Sequence, residues 1–196
     1  MTDGPSTELT RWKIHGERVI DDTRRAHLSI ADVELPDGVR FEQYVLRLPK
    51  AAIVVVLDEQ DRVLMMWRHR FVIDRWLWEL PGGYVEDTED VALAAAREVE
   101  EETGWRPTSV EFLLSVQPMV GTADAENLLF LGTKPVHTGG AIDVNEAERV
   151  SWIPLDDVLD LIARGEIVGA SSIAGILHVL AMRHRGESSF DRPASR

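Results

Sequence analysis

The stretch PGGYVEDTEDVALAAAREVEEETGW, residues 81–105, decides how the rest of the chain is read. Pro81-Gly82-Gly83 breaks regular structure. Asp87 or Thr88 then offers a side-chain cap for a helix running to about Thr103, with Glu89 and Asp90 in its acid-favouring first turn. Val91, Ala95 and Val99 recur every fourth residue and give the helix one apolar stripe. Gly104 follows the last turn as the residue that accepts a left-handed backbone. On this helix Glu98, Glu101 and Glu102 stand at i, i+3 and i+4 and share a face. Three carboxylates so placed repel one another unless a cation lies among them, and hard oxygen donors suit Mg²⁺ or Mn²⁺. Glu89 lies about two turns before Arg97 and can pair with it. The plainer reading of the glutamates is a solvated acidic helix face.

Working outward, AAIVVVLD (51–58) is a continuous apolar run, the pattern of a strand buried on both faces. RVLMMWRHR (62–70) follows a short polar turn. SVEFLLSVQP, ENLLFLGTKPV and ERVSWIPL read as further strands, Leu155 to about Ala163 as a helix, and residues 171–185 as a C-terminal helix. Upstream, WKIHGERVI, HLSIADVEL and RFEQYVLRL alternate partially, with a turn at Pro36-Asp37-Gly38. The expected organisation is a flexible tail at 1–10, an antiparallel β segment at 11–48, a main α/β domain at 49–186, and a disordered tail at 187–196.

The net charge is -13, from 34 acidic and 21 basic residues. Bulk attraction for a nucleic acid is therefore not expected, since such partners are met by basic surfaces. A metal ion can still bridge an acidic site to a phosphate. The chain has no cysteine, which excludes disulfide and thiolate chemistry. It opens without a signal-peptide core and carries no apolar run near the roughly 20 residues that span a bilayer. A cytoplasmic protein with no membrane partner is expected.

The spacing Gly83-x5-Glu89-x7-Arg97-Glu98-Val99-x-Glu101-Glu102-x-Gly104 resembles the box of the Nudix hydrolase family. Every fixed charged and glycine position is present. Trp105 departs from the pattern, standing where the family usually has an aliphatic residue. The resemblance implies an α/β fold, an α/β/α sandwich around a mixed sheet, with the box as loop-helix-loop. It also implies a Mg²⁺-dependent enzyme in which water attacks a diphosphate, with Mn²⁺ as an alternative cation. Carried over, Glu98, Glu101 and Glu102 look like metal ligands together with the carbonyl of Gly82. Arg97 and Glu89 look like an orienting pair.

Features outside the box are similar to the ADP-ribose pyrophosphatase branch: Arg68-His69-Arg70-Phe71, the run Trp78 to Gly83, Pro118, and the C-terminal part. Together they cover roughly residues 40–185. After Pro118 the usual Pro-Gly-x-x-x-Glu is replaced by Pro118-Met119-Val120-Gly121, with acids displaced to Asp124 and Glu126. On this reading Arg68, Arg70 and Glu79 contact substrate, arginine offering a bidentate fork to phosphate. As bland alternatives, Arg68 and Arg70 are strand-end charges, and Trp76 and Trp78 are core. Glu146, with Glu148 as second choice, supplies the general base or orients water. Phe41 and Trp12 are the aromatic residues offered for base stacking. The expected substrate is a small nucleotide sugar, ADP-ribose cleaved to AMP and ribose 5-phosphate, with GDP-mannose or another nucleotide sugar as alternative. A non-catalytic ligand-sensing module is the reading from another class. The resemblance also implies a homodimer, with residues 11–48 at its interface.

Overall fold

The computed structural model describes residues 11–139 and 147–186. These fall into two compact units. One runs to Pro49 and takes in Met119–Ala125, while the other comprises Lys50–Pro118 and continues from Glu126.

The first unit is a sheet of four strands. β1 (Lys13–Asp21), β2 (His27–Glu34) and β3 (Arg40–Arg47) form an antiparallel meander, as their alternation and the intervening turn lead one to expect. A short strand from further along the chain, Ala123–Asp124, adds in parallel to β3, which is why 119–125 belongs to this unit. Arg47 bonds to Glu17 and Ser29, tying all three meander strands together.

The second unit is built around β4 (Ala51–Val56). β4 continues through β5 (Arg62–Arg70), β6 (Arg75–Glu79), β7 (Gly82–Tyr84), the helix α1 (Val91–Thr103) and β8 (Trp105–Val116). With Ala123–Asp124 counted as β9, the chain then forms β10 (Asn127–His137) and β11 (Arg149–Pro154). A 3₁₀ turn (Leu155–Asp157) and the helices α2 (Val158–Ala163) and α3 (Ala170–His184) complete it. One sheet has the order β7-β4-β10-β8 and the other β11-β5-β6. β4 pairs in parallel with β10 and antiparallel with β7, so the first of these sheets is mixed.

The apolar run of β4 exists because both of its faces are covered. Ala52, Val54 and Val56 pack with Leu64 against Ala95 and Val99 of α1. Val55 and Leu57 point the other way, into a core with Val63, Met65, Ile176 and Val179. A strand between two helical layers has no solvent face to keep polar, and the layering is the α/β/α sandwich. Gly175 lets α3 lie close to β4: a Cβ there would come 3.0 Å from Val55 Cγ2.

One boundary differs from expectation. The cap of α1 is Asp90, neither Asp87 nor Thr88, and its carboxylate accepts from the backbone N–H groups of Ala92 and Leu93 at 3.0 Å each. Glu89 therefore lies ahead of the helix, not in its first turn. The far end is as expected, with Gly104 at φ 72° and its N–H bonded to the carbonyl of Glu100. No helix among the described residues is long and apolar enough to cross a membrane.

Replacing a fully buried aliphatic side chain leaves a cavity as well as losing transfer energy. Ile176→Ala is expected to cost about 2–5 kcal/mol in urea unfolding. Leu177→Ala, at a position 43% exposed, should change stability by about 0.5 kcal/mol or less. Equal losses in the two would contradict the assigned face of α3.

Candidate active site

The local chemistry of α1 organises the site. Arg97 projects from the middle of the helix and is held by three acids. Its Nε and Nη2 donate to the two carboxylate oxygens of Glu89 at 2.8 and 2.9 Å. Its Nη1 donates to Glu98 at 2.8 Å and to Glu101 at 3.0 Å. The expected Glu89–Arg97 pair is thus a two-point grip. It holds the Glu89 carboxyl below its ordinary pKa and raises that of the Arg97 guanidinium further. Glu98 behaves differently: burial pushes its carboxyl up, against the opposing pull of Arg97.

Glu102 is almost fully buried and faces the neighbouring strands. Its Oε1 accepts from Arg68 Nη1 at 3.1 Å, and its Oε2 accepts from the backbone N–H of Gly82 at 2.7 Å. The two glycines of the loop meet different neighbours, backbone at Gly82 and a side-chain end at Gly83. Gly82 has φ 154°, and a Cβ there would run into the carbonyl of Ala52 on β4. A Cβ on Gly83 would occupy the space taken by the Glu98 carboxylate. The loop is also tied from a distance, because the N–H of Leu80 donates to Ser172 Oγ at 3.2 Å. Nothing near Leu80 in sequence announces that contact across 92 positions.

Arg70 and Glu79 bind each other. The Arg70 Nε lies 3.0 Å from both carboxylate oxygens, and Nη2 lies 2.6 Å from one of them. Trp78 is core, while Trp76 is exposed and stacks beside Trp67 at 6.3 Å. Arg149, which sequence reasoning passed over, lies 4.8 Å from the Trp78 ring centroid and 5.5 Å from that of Trp67. Its only sequence signal is a basic residue opening a strand. Phe41 and Trp12 meet edge to face at 6.0 Å within the first unit. Glu126, in the acidic segment after Pro118, is bonded to Lys50 and Ser115. Glu146 lies outside the described residues. Glu148 donates its backbone N–H to the carbonyl of Trp67 at 2.9 Å.

Of the three ligand candidates on this helix, Glu98 and Glu101 are therefore gathered on Arg97, while Glu102 is engaged separately by Arg68 and the Gly82 N–H. Among the described residues no three acidic or imidazole side chains are gathered closely enough to hold a metal as they stand. The donor chemistry nonetheless fits a hard cation. Every side-chain donor is a carboxylate oxygen, and the loop facing them has no Cβ at Gly82 or Gly83 to fill the space.

Residues 47–173 match the NUDIX domain. The chain belongs to the Nudix family. It is a Nudix hydrolase, and hydrolases of this family generally need divalent cations. Over 172 residues it is 48% identical to a CMP-5'-(N-acetyl-N-hydroxy-3-aminopropyl)phosphonate hydrolase of Streptomyces rubellomurinus, covering 88% of this chain and 84% of that one. It is 26% identical over 173 residues to an ADP-ribose pyrophosphatase of Bacillus subtilis, covering 87% and 90%. The crystal structure of an ADP compounds hydrolase superposes with a TM-score of 0.80 at 19% identity, over 93% of this chain and 100% of that one, a likeness of fold.

Removing Arg97 should expose the repulsion it offsets. In Arg97→Ala, Glu89 loses the hydrogen bonds that hold its carboxyl below the ordinary value, and Glu98 loses the partner that opposes its burial, so both folded-state pKa values rise. A raised carboxylate pKa favours the folded state only below the unfolded value and works against it as pH rises. The melting deficit of this Nudix hydrolase variant against the parent should thus be larger near about pH 7.5 than near about pH 5. A deficit independent of pH, measured by calorimetry, would mean that Arg97 acts through packing alone.

Proposed function

We propose that the protein hydrolyses the anhydride between a nucleoside 5'-monophosphate and a second phosphoryl or phosphonyl group. Water adds to one phosphorus, the bridging oxygen departs with the other, and two acids result. The observation that carries this reading is an intact box, Glu98, Glu101, Glu102 and Arg97 included, in a chain 48% identical to a hydrolase of a CMP-linked phosphonate. A CMP-linked phosphonate is accordingly the first substrate. ADP-ribose, cleaved to AMP and ribose 5-phosphate, is the second, favoured by the likeness to the ADP-ribose pyrophosphatase along 87% of the chain.

Glu98, Glu101 and Glu102, with the carbonyl of Gly82, would hold Mg²⁺, or Mn²⁺ in its place. The cation would neutralise charge developing on the phosphate and lower the pKa of a bound water. The remaining work belongs to the chain. Glu89 holds Arg97 in place, and Arg97 orients Glu98 and Glu101. Arg68 and the Gly82 N–H fix the rotamer of Glu102. Arg70, released from Glu79, presents a planar fork to the substrate phosphates. Glu146 takes the proton of the attacking water, with Glu148 as its alternative. Phe41 is the proposed base contact, and the sheet of β1–β3 the proposed dimer surface, where Trp12, Ile14, Val19 and Tyr44 are exposed.

Purified protein with Mg²⁺ is offered a CMP-linked phosphonate, ADP-ribose, GDP-mannose, UDP-glucose and NADH, and products are resolved by ion exchange. CMP or AMP should appear from one of the first two, and Glu101→Gln and Glu102→Gln should each lose about 10²- to 10³-fold. Turnover of a different panel member would keep the reaction and change the substrate. Binding without any turnover would favour a ligand-sensing module.

A further inference from the structure

A second cleft lies beyond the carboxylates. Its volume is about 230 Å³, and Asp58, Glu59, Arg62, Trp105, Lys134 and Trp152 are among its lining residues. Arg62 opens β5, six residues before Arg68, and Trp105 follows the Gly104 cap of α1, so the cleft lies at the C-terminal end of the helix that carries the glutamates. None of the lining residues has a part in the proposed hydrolysis.

Three observations single this cleft out. The first is its aromatic wall. Trp105 and Trp152 are half-buried, with ring centroids 5.2 Å apart and planes at 87°. The other described ring partner of Trp105, His137, also meets it edge on, so neither is stacked parallel on the indole.

The second is charge. Asp58 is fully engaged, accepting from the N–H groups of Gln60 and Arg62 and from the Arg62 guanidinium at 2.7 and 2.6 Å. The Arg62 guanidinium is shared with Gln60 and lies 6.0 Å from the Trp152 ring centroid. Among the described residues, the Lys134 ammonium and the Glu59 carboxylate have no hydrogen-bond or ion-pair partner.

The third is the backbone. Asp61 and Asp74 have positive φ in turns, where aspartate tolerates it. Lys134 has φ 51° inside β10, directly before Pro135, a place where a long side chain is disfavoured in that conformation. Strain of this kind collects where a side chain must be aimed.

We infer that this cleft is a second ligand site, for an amino-bearing heteroaromatic ring that carries a phosphate. The ring lies against Trp105 and Trp152, its exocyclic amino group donates to Glu59, and its phosphate meets Lys134. A volume of this size takes one ring, with the charged group at the mouth. The assignment does not depend on which substrate is hydrolysed.

The test uses AMP and CMP as probes, in EDTA so that no divalent cation holds them at the carboxylates. Tryptophan indole N–H resonances are followed by NMR, those of Trp105 and Trp152 being identified by their absence in Trp105→Phe and Trp152→Phe. Both should move on titration with either nucleotide and stay still with inorganic phosphate. Lys134→Gly should fold, because glycine accepts the positive φ, and should bind about tenfold or more weakly, the loss of one charged contact. Glu101→Gln should bind as the parent does, whatever its turnover, which separates this result from the hydrolysis assay. Resonances that stay still at millimolar nucleotide, that move equally with inorganic phosphate, or that report unchanged affinity in Lys134→Gly would overturn the inference.

Discussion

Everything at the site depends on keeping several carboxylates together on and beside one helix face. Without a counter-ion, Glu89, Glu98 and Glu101 would repel one another. Glu98 would suffer most, since burial already disfavours its charged form. Arg97 meets all three at once, with separate nitrogens for Glu89 and for the other two. Glu102 cannot use the same partner and takes Arg68 and the Gly82 N–H. The acidic cluster is therefore two clusters with two cations, and the glycine loop threads between them.

The scaffold explains why these groups can be so close. β4 is buried on both faces, so β7 must approach it without side-chain bulk, and Gly82 satisfies that requirement. α1 lies on the other side of the same loop, and Gly83 leaves room for Glu98. Two adjacent glycines thus answer two different neighbours, a strand and a helix. The acidic site and the sandwich core are consequently not independent: whatever displaces β4 relative to β7 also displaces the N–H that holds Glu102.

How much of this could be read from sequence follows the range of each interaction. The spacing from Gly83 to Gly104 is local, and helical periodicity alone puts Glu98, Glu101 and Glu102 on one face, whereas Glu89 lies ahead of the helix and reaches Arg97 through the turn before Asp90. The two-faced burial of β4 was legible because a run without polar residues has no side to turn toward water. The cap was misplaced because Asp87, Thr88 and Asp90 all have capping side chains, and only the backbone path after Tyr84 decides among them. The partners of Glu102 and of Leu80 were hidden. Arg68 and Ser172 are set by β5 and α3, and no pattern near either residue points to them. Arg70 and Glu79 carry readable charges, yet their pairing is not a matter of register: Glu79 lies opposite Met66 and Arg70 opposite Arg75, and the side chains reach along the hairpin to meet.

The division of labour on Arg97 has a consequence for function. Nε and Nη2 form a two-point contact with Glu89, which is outside the helix and fixed by the turn before Asp90. Nη1 alone serves Glu98 and Glu101. If a cation draws those two carboxylates away, the guanidinium keeps its anchor and its orientation. A lysine could not do this, because a single ammonium offers no separate fork to the anchoring acid. Glu89 thus fixes Arg97 through nitrogens that Glu98 and Glu101 do not use. The long spacing between Glu89 and Arg97 is the sequence trace of that arrangement.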